Sequence, residues 1–428
     1  MSDRTATILI LIDGFRPDYL KQAPFMERLS SLSLSGSLIP PFGFMSTSGA
    51  IFAGLPPEAS GLSHKFCLNR EDSPFRFVKS LPPFLKRRNP LEPAGGLGKM
   101  SISLWLRLKE RGGALSYYGS SEMIPPLLLP FFDFGQKKRP DQEGFVPSAS
   151  LFEILKKEEK KWLYLGFARP RSFWEYGQKF VQKLVLKRFD DDQYLIGSLK
   201  RFIKGDDYDF IYLHLNLLDS LGHCFGTASP EMEEGIKIMD RRIEELYNLF
   251  KTKYPSLNLI LVSDHGMTAV KGSIDIWKLI LKFKLKIGRD FIPFLDATMA
   301  RFWGEAKALD YIKTELAGLK GGRFLNSEDL AQFKIRFRDN RYGDLFWVCE
   351  EGLVLSPNFF DEVPIRGAHG YLPGTKSDYA FFLLNGTGLP SGPAEVGRKT
   401  EGRLEDIFPT ILKLMKLPIP SLSSGRVL

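Results

Sequence analysis

Leu257-Asn-Leu-Ile-Leu-Val-Ser-Asp264-His265-Gly266-Met267 is a short apolar run that stops at two side chains able to hold a metal ion, with a glycine behind them. The run from Leu259 to Val262 is uniformly apolar and bounded by a turn signal, the pattern of a strand buried on both faces of a parallel sheet. In open sheets of that kind, ligands gather at the carboxyl ends of the strands. Two more stretches share the form. Thr7-Ile-Leu-Ile-Leu-Ile-Asp13-Gly14 ends in Asp-Gly, and Phe210-Ile-Tyr-Leu-His-Leu-Asn-Leu-Leu-Asp219 leads on to His223. A fourth segment carries His369 between Gly367 and Gly370. The fold class that follows is α/β, three layers around a mostly parallel sheet, with three carboxylates and three histidines near strand ends or turns.

Outward from these runs, residues 1–64 read as strand, helix, strand, helix. Composition then changes: Pro74, Pro82, Pro83, Pro90 and Pro93 precede Gly95, Gly96 and Gly98, which signals an irregular excursion. The run Ile124–Phe134 is apolar but broken by prolines, so it forms no long helix. Phe173, Tyr176, Phe180 and Leu184 recur at helical spacing and predict an amphipathic helix over 172–188. Alternating α/β patterning resumes near 190. Met232, Ile236, Met239, Ile243, Leu246 and Phe250 predict a helix over 230–250, opened by Ser229-Pro230 and acidic residues that suit its positive end. A last helix is expected near 405–415. The expected organisation is a core made of 1–64 and 171–428, with a smaller insert at about 290–355 and a basic, aromatic cap inserted at 65–170.

Composition narrows the function. A hydrophobic fraction of 43% supports a real core, and no apolar run approaches the length of a membrane span. Three widely spaced cysteines, Cys67, Cys224 and Cys349, encode neither a disulfide framework nor a CxxC zinc site. Reduced thiols, and an N-terminus without the features of a signal peptide, point to the cytoplasm. Of the net charge of +9, the segment Lys65–Arg111 supplies +7, from eleven Lys/Arg against four Asp/Glu. Interleaved with Phe66, Phe75, Phe77, Phe84 and Trp105, this charge suits a phosphorylated substrate, amphiphilic if the aromatics are used, or peripheral membrane contact through the 65–170 insert. A solvated basic face is the plainer reading. Nucleic acid is not the expected partner.

Three of the five histidines sit in glycine-punctuated motifs beside aspartates. Imidazole with carboxylate is the ligand set of catalytic zinc, with manganese as the alternative. Two groups of three ligands would place two divalent ions about 4 Å apart, a spacing suited to in-line displacement at phosphorus. A nucleophile would come from Ser46, Thr47 and Ser48, three adjacent hydroxyls ahead of a short apolar helix; the plainer role for them is capping that helix.

The order Asp13-Gly, a hydroxyl cluster before Gly54-Leu-x-Pro-Glu, Asp219-xxx-His223, Asp264-His265-Gly-Met and Gly-x-His369-Gly resembles the alkaline phosphatase superfamily, in its type I phosphodiesterase/nucleotide pyrophosphatase branch. The resemblance covers roughly 1–64, 205–270 and 360–428. It implies an alkaline phosphatase-like fold, with Asp13, Asp264 and His265 on the ion beside the nucleophile and Asp219, His223 and His369 on the ion facing the leaving or attacking oxygen. Two departures follow from the same resemblance. Relatives carry the nucleophilic Thr or Ser nine residues before the Thr of a Thr-Gly-Leu element. Here that element is Ala53-Gly54-Leu55, and the position nine earlier is Phe44, so a contracted loop has to bring up Ser46 or Thr47; Ser46 is the expected nucleophile and metal ligand. The Pro-Asn-His element of nucleotide pyrophosphatases is replaced by Ser48-Gly49-Ala50, which argues against nucleotide substrates. The Cys-x-Pro-x-Arg signature of sulfatases is absent.

Three further residues have two readings each. His64 either reaches the substrate or is structural. His214, inside an apolar strand, reads as a hydrogen-bonded core residue. Arg301 either binds phosphate oxygens or forms a structural ion pair. The expected activity is metal-dependent phosphodiester hydrolysis through a Ser/Thr nucleophile. A phosphomonoesterase or phosphotransferase of the same fold is the nearest alternative. From another class, the alternative is an inactive basic protein that binds a membrane surface or nucleic acid.

Overall fold

The structure is a computed structural model that describes residues 5–82, 91–93, 98, 99, 101, 102, 105, 123–166, 192–361, 364–386 and 399–428. The expected helix at 172–188 lies outside these residues. Seven strands form the main sheet, in the spatial order Lys399–Arg403, Leu34–Ile39, Ala380–Gly386, Ser256–Val262, Thr5–Ile12, Phe210–Leu215 and Trp162–Leu165. Every neighbouring pair is parallel except the two made by Ala380–Gly386. The strand Thr5–Ile12 runs between Ser256–Val262 and Phe210–Leu215, with Leu11 opposite Val262 and Ile12 opposite Leu215. Asp13, Asp264 and the helix bearing Asp219 therefore leave the sheet side by side at one edge. Because Ala380–Gly386 runs the other way, the segment before it, with His369, arrives at that same edge.

Alternation along the strands builds the layers. Ile8, Ile10 and Ile12 pack with Leu213, Leu261 and helix residues Met232, Ile236, Met239 and Ile243. Leu9 and Leu11 point the other way, to Ile260, Phe52, Phe152 and Phe408. Each fully buried aliphatic or aromatic side chain contributes roughly 1.5–3 kcal/mol, so both layers are needed. The long helix is Pro230–Lys253; Ser229 caps it by accepting from Met232 N at 3.1 Å. Its buried Asp240 accepts from Phe25 N and Met26 N at 2.9 Å, which pins the helix Pro24–Ser31 alongside.

Two features differ from the expected organisation. The strand Trp162–Leu165 pairs with Phe210–Leu215, and the helix Leu151–Lys157 packs on the sheet, so these residues belong to the core and not to the 65–170 insert. The helix has its own start signal, a capping box between Ser150 and Glu153. The strand is only four residues long and sits at the sheet edge. The second difference is that the two inserts share one interior. Phe66, Phe75, Ile124, Leu128 and Phe132 from the first pack with Phe294, Trp303, Trp347 and Phe359 from a region built on the four-stranded sheet of Phe291–Leu295, Met299–Gly304, Leu345–Cys349 and Gly322–Phe324. Among the described residues of the first insert, Phe66, Phe75, Ile124, Leu128 and Phe132 thus face inward.

Candidate metal centre

Asp13 follows directly on the central strand, and its N–H donates to Leu215 O at 2.9 Å. Asp219 lies in the first turn of the helix Leu217–Phe225, and His223 one turn later on the same face, with Nε2 3.2 Å from Asp219 Oδ1. His223 Nδ1 lies 2.9 Å from Gly367 O, and His265 Nδ1 lies 2.8 Å from Gly266 O. A carbonyl only accepts, so each Nδ1 carries the proton and, in the neutral ring, Nε2 is free to ligate. His265 Nε2 lies 3.2 Å from Asp13 Oδ1 and 3.6 Å from Asp264 Oδ2. His369 stacks on His265 with ring centres 3.6 Å apart, and its centre is 5.1 Å from that of His223.

Whether these residues fit a cation is tested by their donor atoms. One donor each from Asp13, Asp264 and His265 lie within 4.8 Å of one another, and so do donors from Asp219, His265 and His369. His265 thus stands between the two groups, and His223 joins the second through Asp219. Asp13 Oδ1, Asp219 Oδ1, Asp264 Oδ1 and His369 Nδ1 are buried and make no hydrogen bond. Three of these are carboxylate oxygens, which are costly to bury without a hydrogen bond, and the fourth is an imidazole nitrogen; all four belong to the clustered residues. The site fits divalent cations.

Electrostatics in the metal-free protein agree. Burial pushes the Asp264 carboxyl up to about 7, with repulsion from Asp13 adding to it. Burial also works against an ionised Asp13, but hydrogen bonds and charge from His214 and His265 outweigh it and hold this carboxyl well below its usual range. His223 is raised to about 9 against its burial, by Asp219. His265 is raised well above its ordinary value against its burial, by Asp264 and Asp13. His369 is pushed well below by burial and by the charges of His265 and His223. Protonated imidazoles here supply the positive charge that a metal ion would bring.

Two supporting residues stand behind the ligands. His214 is a hydrogen-bonded core residue, and its partner is Asp13: Nε2 lies 2.8 Å from Asp13 Oδ2 and Nδ1 3.3 Å from Tyr212 Oη. Asp378, which sequence reasoning did not single out, accepts from Gly370 N at 2.9 Å and Tyr371 N at 3.1 Å, fixing the turn after His369. Its lone position before a strand carries no motif; a buried acid preceding Tyr-Ala-Phe-Phe is the only hint.

A cleft reaches the cluster at His223 and His369, walled by Phe44, His64, Thr298 and Phe360. His64 is buried, with Nδ1 2.9 Å from Ser63 Oγ and Nε2 3.1 Å from Met299 Sδ. Arg301 is fully buried, pairs with Asp296 at 2.6 Å and donates to Phe66 O and Tyr342 O; it is a structural ion pair. Ser46 and Thr47 begin the helix Ser46–Ala53. Ser46 Oγ donates to Phe42 O at 2.9 Å and to Gly43 O, and Thr47 Oγ1 donates to Phe44 O at 2.9 Å. Neither is among the residues that line the cleft, whereas the six histidine and aspartate side chains come together.

A model of the type I phosphodiesterase / nucleotide pyrophosphatase family matches residues 7–372. Over 77 residues the chain is 34% identical to ectonucleotide pyrophosphatase/phosphodiesterase family member 7 of Rattus norvegicus, a stretch covering 18% of this chain and 18% of that relative. The structure of human ectonucleotide pyrophosphatase / phosphodiesterase 5 superposes with a TM-score of 0.65 at 15% identity, over 98% of this chain and 97% of that one. Its murine counterpart, an inactive threonine-to-alanine form in complex with AMP, superposes with a TM-score of 0.61 at 17% identity, over 97% and 96%. At these identities the structural likeness is one of fold.

Proposed function

The chain belongs to the type I phosphodiesterase / nucleotide pyrophosphatase family, and from that premise we propose that it is a metal-dependent hydrolase of phosphoric esters with a preference for diesters. The observation that supports this is the convergence of Asp13, Asp219, Asp264, His265 and His369, joined by His223, around buried carboxylate oxygens, two of which meet imidazole nitrogens at 3.2 Å. Asp13, Asp264 and His265 would hold one divalent ion and Asp219, His223 and His369 a second, zinc before manganese; when bound, such ions would supply Lewis-acid charge to a phosphoryl oxygen and to the leaving group. His214 orients Asp13, and Gly367 O fixes the tautomer of His223, so each presents one defined atom.

For the substrate, a murine relative in complex with AMP makes a nucleotidyl phosphate a reasonable group to offer. The cleft walls of Phe44 and Phe360 suit an aromatic or apolar moiety beside the phosphate. An amphiphilic diester would use the neighbouring groove between Met123, Pro125, Trp277 and Ile365, where the first insert meets the cleft. Among the described residues no helix is long and apolar enough to cross a membrane. Cys67, Cys224 and Cys349 form no disulfide with one another, and a cytoplasmic setting stays part of the same proposal.

The test is metal analysis of the chelator-stripped and reconstituted protein, followed by turnover of bis(p-nitrophenyl) phosphate and p-nitrophenyl phosphate with zinc or manganese. Zinc uptake with faster diester turnover is expected, and Asp264→Asn should lose both. Faster monoester turnover would turn the reading to a phosphomonoesterase. Neither uptake nor turnover would turn it to a binding protein.

A further inference from the structure

The hydroxyls closest in sequence to the expected nucleophile position are engaged elsewhere. Ser46 has 0% relative exposure, and its Oγ lies between Phe42 O and Gly43 O. Thr47 is buried and returns its hydroxyl to Phe44 O. Ser63 is buried with its Oγ against His64 Nδ1. Among the described residues on the cleft wall, Thr298 supplies the one hydroxyl, and it donates to Gly370 O at 2.9 Å.

Phe44 is what the chain presents instead. Its ring stands edge-on to His369 with centres 6.3 Å apart, and to Phe360 at 6.1 Å. The helix that follows runs unbroken from Ser46 to Ala53 and closes at Gly54, whose φ of 64° is left-handed and whose N–H donates to Ala50 O. A contracted loop that carried Ser46 forward would shorten or distort this turn, and no distortion is there. The position nine residues before Ala53 is therefore held by an aromatic ring, against the ligand His369.

We infer that, among the described residues, this cleft offers phosphorus no side-chain hydroxyl free to attack, Thr298 being engaged by Gly370 O and Phe44 standing where a nucleophile would, so that an ester bound there is cleaved by direct displacement by water without a phosphoryl-enzyme. In that step the water oxygen bonds to phosphorus as the bond from phosphorus to the leaving oxygen breaks. The water's surplus proton passes to solvent, and the leaving oxygen takes a proton from solvent. The inference rests on the proposed phosphoesterase reading. It departs from the expected role of Ser46 and Thr47, whose hydroxyls then serve the first turn of their helix.

The experiment reads the mass of the intact protein, a quantity separate from turnover. Zinc-loaded wild type, Phe44→Thr and Phe44→Ser are mixed with the p-nitrophenyl ester of thymidine 5′-monophosphate, quenched in acid and weighed by mass spectrometry, with zinc content and folding checked on each sample. Wild type should stay unmodified, and Phe44→Thr should gain one nucleotidyl group at residue 44. An adduct on Ser46 or Thr47 of the wild type overturns the inference. So does a folded, zinc-loaded Phe44→Thr that gains nothing. Where wild type turns over, a diester chiral at phosphorus should give inversion; retention overturns the inference. Ser46→Ala should keep that turnover, and its abolition also overturns the inference. Failure to load zinc at all defeats the phosphoesterase reading instead, so the two failures are told apart.

Discussion

His214 and Asp13 show how a buried pair can set a ligand. His214 Nε2 lies 2.8 Å from Asp13 Oδ2 and leaves Oδ1 facing His265 and the second carboxylate, Asp264. Without His214, a carboxylate at 5% relative exposure loses a partner and its orientation. His214→Ala should lower zinc affinity roughly 10- to 100-fold, the usual effect of losing a residue that orients a ligand; His214→Gln, which can still donate, should recover part of it. Competition against a fluorescent chelator measures both, and an unchanged affinity would remove His214 from the site. Protons supply a second residue-scale test. In the metal-free protein Asp264 holds a proton up to about 7 and His223 up to about 9. Both must give it up to ligate, so metal binding releases protons and affinity rises with pH. The rise should be steepest below about 7, where Asp264, His223 and His265 all contribute, and shallower above it once Asp264 has lost its proton, with the two raised imidazoles still contributing. Titration calorimetry in buffers of different ionisation enthalpy reads the released protons; a pH-independent affinity with none released contradicts the ligand set.

At the scale of elements, the second group depends on a helix and a two-residue strand staying close. A Cβ on Gly367 would meet Gly222 O at 2.5 Å, a backbone atom of the helix Leu217–Phe225. Gly367→Ala must push the strand Gly367–Ala368 off that helix, and with it His369 from His223. We expect a loss of about 1–3 kcal/mol in stability, typical of overpacking, together with weaker binding of one zinc equivalent. Gly197→Ala, where a Cβ meets nothing within 4 Å, is the control and should be neutral or stabilising. Urea unfolding and zinc stoichiometry decide it: if Gly367→Ala behaves like the control, the close approach does not set the site. The mostly parallel sheet and its candidate ligand edge were legible because strands buried on both faces leave continuous apolar runs, and the run endings carry Asp13, Asp264 and Asp219; the order of the strands was not. Trp162–Leu165 was not, since a four-residue edge strand has no run to show. The His214–Asp13 and Asp378–Gly370 contacts were equally hidden: the first joins residues 201 apart in sequence, and neither has a local pattern that names its partner. Ser46 is ambiguous for a related reason. A hydroxyl before an apolar helix reads the same whether it faces a cleft or its own backbone carbonyls.

For the whole molecule, the decisive fact is that two inserts far apart in sequence share one interior while the candidate metal ligands belong to the sheet edge. Phe132, from the first insert, packs 4.9 Å from Phe294 and 5.6 Å from Trp303 of the second, measured between ring centres. Phe132→Ala should cost about 3–5 kcal/mol locally, by lost burial and the cavity left behind. A shared interior cannot loosen on one side only. Hydrogen exchange should therefore lose protection both in Phe66–Leu68 and Phe132–Phe134 and in Phe291–Leu295 and Met299–Gly304, while Thr5–Ile12 and Ser256–Val262 keep theirs. Function should divide along the same line. Thr298 and Met299 on the cleft wall come from the second insert, whereas Asp13, Asp219, His223, Asp264 and His265 follow strands of the main sheet. The variant should then raise KM for a diester while zinc affinity changes little. If protection is lost only in the first insert, the inserts are independent bodies; if zinc affinity falls as far as KM rises, the inserts hold the ligands in place as well as the substrate.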